Sequence, residues 1–144
     1  ATNNRCDDQA AFMKFSLLVL SPPEASSAQS AWRFAQALLE EGHDLYRVFF
    51  FGDGVYCGDH FRQAHQSAPD WVKRWSELSN EHNLDMLLCV SSALRRGVLD
   101  VKEADRRQLQ NANIAPGFAL SGLGQWVDAT LHSERTLTFG PDRV

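Results

Sequence analysis

The 144-residue chain has no apolar run long enough to cross a bilayer. The longest, Phe15 to Leu20, is the length of a strand. The first twelve residues lack the basic start, apolar middle and small-residue cleavage site of a secretory signal. Cysteine is scarce. There are three, Cys6, Cys57 and Cys89, at wide spacings. An odd number so placed argues against a disulfide framework and points to a reducing compartment, the cytoplasm. An excess of positive charge is also missing. The formal net charge of −4 argues against a broad, sequence-independent grip on nucleic acid. Arg95-Arg96 and Arg106-Arg107 read as solvated helix faces. Repeats, low-complexity stretches and linkers are absent as well. Residues 13–144 therefore read as one domain and residues 1–12 as a polar tail.

What is present is enough for an ordinary core. Hydrophobic residues make up 44% and charged residues 22%. Lys14 to Leu20 reads as a buried first strand, ended by Ser21-Pro22-Pro23. Ser26 or Ser27 is placed to cap a helix whose apolar face is Ala28, Ala31, Trp32, Ala35, Leu38 and Leu39. Gly42 ends it. Leu45 to Phe51 is aromatic and β-branched, a second strand, followed by a sharp turn at Gly52-Asp53-Gly54 and an irregular stretch to residue 68. A helix is predicted over Pro69 to His82 and a third strand over Leu84 to Val90. Short helices follow, the second with a capping-box start at Asp100 and Glu103. Phe118 to Ser121 and Arg135 to Phe139 read as strands around a helix with Trp126, Val127 and Leu131 on its apolar face. The alternation predicts an α/β fold: three layers, with a mostly parallel five-stranded sheet of flavodoxin-like topology covered on both faces.

In such a sheet, chemistry collects at the C-terminal ends of strands. Cys89 stands there, before a short helix. Unpaired N–H groups at a helix start favour a thiolate, and Arg95 and Arg96 follow within two turns. A thiolate so placed can take up sulfur as a persulfide. The residues alone leave a second reading open, a buried core cysteine. Cys57, in the glycine-rich loop, reads as an exposed, incidental thiol or a resolving partner of Cys89. Cys6 reads as incidental. Cys57, His60 and His65 make half a zinc site at best, so no metal is expected. Gly52-Asp53-Gly54 is neither a P-loop nor a dinucleotide fingerprint, and no cofactor is expected. Ser91 and Ser92 lack a G-x-S-x-G context and read as helix caps. Trp71, Trp75 and Trp126 read as core or subunit interface.

Several segments together resemble the TusD/DsrE family of sulfurtransferase subunits, across nearly all of residues 13–140. They are Ala25-Ser26-Ser27-Ala28, Phe34 to Leu38, Gly42-His43, Val48-Phe49-Phe50, Gly54-Val55-Tyr56, Gly117-Phe118 and Leu120 to Gly124. The most specific is Cys89-Val90 with Ala93, Arg95, Arg96 and Gly97. The resemblance implies a single parallel α/β domain and a persulfide on Cys89. It implies a heterohexamer with TusB/TusC-like or DsrF/DsrH-like subunits, a TusA-like sulfur donor and a TusE/DsrC-like acceptor. The end use it implies is 2-thiolation of the tRNA wobble uridine. Dissimilatory sulfur oxidation, or a non-catalytic assembly role, is the alternative. Neither membrane association nor direct nucleic-acid binding is expected. The Ser21 to Ala25 loop is shorter than the family pattern, and Cys57 is not part of that pattern.

Overall fold

The computed structural model describes residues 12–142. Strand β1 (Lys14–Val19) leads to helix α1 (Ser26–Glu40), β2 (Asp44–Phe50) and a 3-10 helix (Gly52–Gly58). Helix α2 (Trp71–His82) and strand β3 (Met86–Cys89) come next, then α3 (Val90–Arg95) and α4 (Val101–Arg106). The chain closes with β4 (Phe118–Ser121), α5 (Gly124–His132) and β5 (Arg135–Phe139). All strand pairs are parallel, in the order β4-β3-β2-β1-β5. The three layers and five parallel strands are as the sequence predicts. The strand order is distinct from the 2-1-3-4-5 order of flavodoxin-like sheets.

That order dictates where each helix lies. From β1 to β4 the chain steps in one direction across the sheet, so right-handed crossovers put the connecting helices on one face. There α1 buries Ala28, Ala31, Ala35 and Leu38, and α2 buries Val72, Trp75 and Leu78, against Leu17, Val19, Val48, Phe50 and Leu88. Ala93 of α3 joins the same core. The step from β4 back to β5 reverses direction, and α5 crosses the other face. The core there is small: Phe49, Leu87 and Cys89, with Leu18 and Trp126 packed on them.

Polar contacts hold α5 down. Arg47, nearly buried, donates from Nε to Asp85 at 2.7 Å and from Nη1 to Asp128 at 2.9 Å and to the Gln125 carbonyl at 2.7 Å. The Tyr46 hydroxyl donates to Asp128 at 2.7 Å, and the Ser16 and Ser133 hydroxyls meet at 2.7 Å. This corrects the expected apolar face of α5. Asp128 and Ala129 turn toward the sheet with half-buried Trp126, whereas Val127 and Leu131 are 54% and 77% exposed.

The hydrogen bonds from Tyr46 and then Arg47 hold the Asp128 carboxyl below its usual range. A carboxyl depressed in this way stabilises the fold above its unfolded value of about 3.9, and loses that contribution as pH falls through the lower folded value. Asp128→Asn lacks the contribution at every pH. The gap in melting temperature between wild type and Asp128→Asn is therefore expected to be widest near neutrality and to close below about pH 4. A gap that stays constant from pH 7 to pH 3, followed by circular dichroism, would count against this anchor.

Other local departures have clear causes. The N-cap of α1 is Ala25, not Ser26 or Ser27. The Ser27 hydroxyl instead donates to Ser21 at 2.8 Å. Asp70 caps α2 by accepting the Lys73 N–H, which starts that helix two residues later than predicted. Asp100 accepts the Glu103 N–H, as the capping pattern predicts. Phe12, assigned to the tail, packs edge-on against His43 at 5.9 Å. The rest of the expected tail lies outside the described residues. Among the described residues no helix is long and apolar enough to cross a membrane.

Candidate active site

The chain leaves the ends of β3 and β4 toward opposite faces of the sheet, with α3 on one face and α5 on the other, so a crevice lies between these two strand ends. Ligand and substrate sites of open parallel sheets form outside the carboxyl ends of the strands. Cys89 ends β3 there, in register with Ser121 at the end of β4. Cys89 is also the N-cap of α3, with non-helical backbone at φ −58°, ψ 119°. The expected cap at Ser91 or Ser92 is therefore corrected. The Ser92 hydroxyl accepts the Gly52 N–H at 3.0 Å. Arg96 donates to Asp53 at 2.9 Å and to the Ser92 carbonyl at 3.2 Å. These bonds latch the loop after β2 to the first turn after Cys89. They also commit the Arg96 charge to Asp53, so of the two arginines Arg95 is the exposed one. Gly52 has φ +58°, a left-handed conformation that suits glycine.

The Cys89 thiol lies on the α5 face of the sheet, only 4% exposed. It belongs to a small apolar cluster with Phe49 and Leu87, against which Leu18 and Trp126 pack, the Phe49 and Trp126 rings lying 6.4 Å apart. Continuing the β2–β3 register by one residue brings Phe51, 39% exposed, level with Cys89. The β4–α5 loop that follows Ser121 is uncrowded: a Cβ at Gly122 or Gly124 would meet nothing within 4 Å. The arrangement keeps bulk water off the sulfur.

Cys57 departs from expectation. It is fully buried, not exposed, and its thiol donates to the Ser21 carbonyl at 3.6 Å. Burial, then the nearby Glu24 carboxylate, pushes this thiol far above its ordinary range, which leaves it protonated. It packs in the core on the opposite face of the sheet from Cys89. The structure therefore does not bring the two thiols together as a resolving pair. His60 and His65 are exposed while Cys57 points into the core, so these three do not converge. A cavity of about 560 Å³ lies between the β1–α1 loop, residues 62–65 and the start of α2, and Cys89 does not line it. Sequence reasoning singled out Cys89 as a candidate, and the structure adds Ser121 as its neighbour across β3 and β4. Its register partner follows from strand order, which local pattern does not carry.

The fold is that of a small parallel α/β protein, with a cysteine at the carboxyl end of β3 as its candidate site. The sequence profile of the DsrE/DsrF-like family matches residues 13–139, and the chain belongs to that family. DsrE of Allochromatium vinosum is 42% identical over 129 residues, covering 89% of this chain and 99% of its own. The sulfurtransferase TusD of Salmonella arizonae is 42% identical over 128 residues, covering 88% and 100%. The chain is accordingly a sulfurtransferase. The crystal structure of the ychN protein from E. coli superposes with a TM-score of 0.67 at 21% identity, covering 89% of this chain and all of that one, and shares the fold.

Proposed function

We propose that Cys89 is the sulfur carrier. The observation that carries the reading is its place at the carboxyl end of β3, beside the end of β4, in a chain of sulfurtransferase relatives. The Cys89 thiolate attacks the sulfane sulfur of a donor persulfide, R–S–S–H. A new S–S bond forms to Cys89, the donor's S–S bond breaks, and the donor leaves as R–S⁻ and takes a proton from solvent. No net oxidation occurs. An acceptor thiolate then repeats the exchange on Cys89–S–SH.

The donor in this reading is a TusA-like protein and the acceptor a TusE/DsrC-like one. The chain works within a heterohexamer with TusB/TusC-like subunits in a reducing cytoplasm. The end use is 2-thiolation of tRNA wobble uridine, supported by the likeness to TusD. The equal identity to DsrE favours a second reading, the same chemistry in dissimilatory sulfur oxidation with DsrF/DsrH-like subunits. The test is incubation with a cysteine desulfurase, cysteine and a TusA-like carrier, followed by intact-protein mass spectrometry. The expected result is a gain of one reductant-labile sulfur. No gain from a carrier that is itself loaded would overturn the proposal.

A further inference from the structure

The walls around Cys89 are apolar, and an anion in apolar surroundings is disfavoured unless a donor faces it. Ser92, in the first turn after Cys89, is engaged by the Gly52 N–H. Ser121 stands directly beside Cys89 in the β3–β4 register. In-register residues of neighbouring parallel strands project from the same face, across a strand spacing of about 4.8 Å. Ser121 is half-buried, at the crevice rim, and is followed by the open Gly122.

We propose that Ser121 is a catalytic residue of the sulfur-transfer site, its hydroxyl donating a hydrogen bond to the Cys89 thiolate and, after transfer, to the persulfide. The assignment rests on Cys89 being the sulfur carrier. A hydroxyl is suited to the task because it rotates about χ1, facing the sulfur when it is charged and the solvent when it is not. It also adds no charge of its own to the apolar wall.

Ultraviolet thiolate absorbance against pH, in a Cys6→Ser background and read as the difference from Cys89→Ser, reports this bond. Cys57 stays protonated through the useful range because of its burial. The charged groups on surrounding elements, Asp53 after β2, Arg95 and Arg96 on α3 and after it, and Asp128 and His132 on α5, are the same in every variant compared. Ser121→Ala is expected to move the titration to the alkaline side by roughly one pH unit and to slow sulfur uptake at pH 7 several-fold. Ser121→Thr, which keeps the hydroxyl, is expected to restore both. Coincident titrations of wild type and Ser121→Ala overturn the role of Ser121. Equal sulfur loading of wild type and Cys89→Ser would instead overturn the carrier assignment itself, so the two failures are distinguishable.

Discussion

Gly54→Ala is expected to lower folding stability by roughly 3–5 kcal/mol, or to prevent soluble expression. A Cβ at Gly54 would stand 2.1 Å from the Val19 carbonyl oxygen and 2.8 Å from its carbon. Both are main-chain atoms, so no side-chain rotation relieves the clash. That same oxygen accepts the Phe51 N–H at 3.0 Å, the bond that carries β2 past the end of β1. Relief would have to push the 3-10 helix off the sheet, and with it buried Val55 and Cys57. Gly58→Ala is expected to cost less, because its Cβ would meet side-chain atoms, with Leu88 Cδ1 at 2.7 Å. Gly122→Ala, with nothing within 4 Å, should be close to neutral. Urea midpoints in the order Gly122→Ala, Gly58→Ala, Gly54→Ala, from most to least stable, are the predicted result. A Gly54→Ala midpoint equal to wild type would refute the packing described for this loop.

The second large effect is chemical. Cys89→Ser is expected to reduce sulfur uptake by at least about a thousandfold, since a hydroxyl cannot hold a sulfane sulfur. Placing a hydroxyl against Phe49, Leu87 and Trp126 also costs about 1–3 kcal/mol. Cys89→Ala avoids that burial and separates lost chemistry from lost folding. Both variants should lose uptake, and the alanine variant should melt closer to wild type. Cys57→Ala is expected to keep uptake within about twofold, because a thiol held protonated by burial does not act as a nucleophile.

Much of the scaffold is legible in the sequence because its signals are local. β4 and β5 fall at Phe118–Ser121 and Arg135–Phe139, as alternation and turn residues predict. The face of α1 read from Ala28, Ala31, Ala35 and Leu38 is the face it buries. What the sequence hides depends on distant partners. The roll of α5 is set by Asp128 meeting Tyr46 and Arg47, about eighty residues earlier in the chain. No helical periodicity reports that, so Val127 and Leu131 read as core and turn out exposed. Cys57 reads as a loop thiol because glycines surround it. Those glycines instead let the 3-10 helix lie directly on the sheet, with Gly54 against Val19 and Gly58 against Leu88 and Phe118. The serines after Cys89 read as caps by composition, while the latch from Gly52 to Ser92 spans forty residues. Cys89 was legible as a candidate because strand end and helix start adjoin in sequence. Its neighbour Ser121 was not, because register across β3 and β4 is a property of the assembled sheet.

The most direct measurement is the position of the acquired sulfur. Wild-type protein loaded from a persulfide donor, capped with an alkylating reagent under non-reducing conditions and digested, should carry the extra sulfur on the peptide containing Cys89. Recovery of that sulfur on the Cys57 or Cys6 peptide, with Cys89 unmodified, would contradict the account.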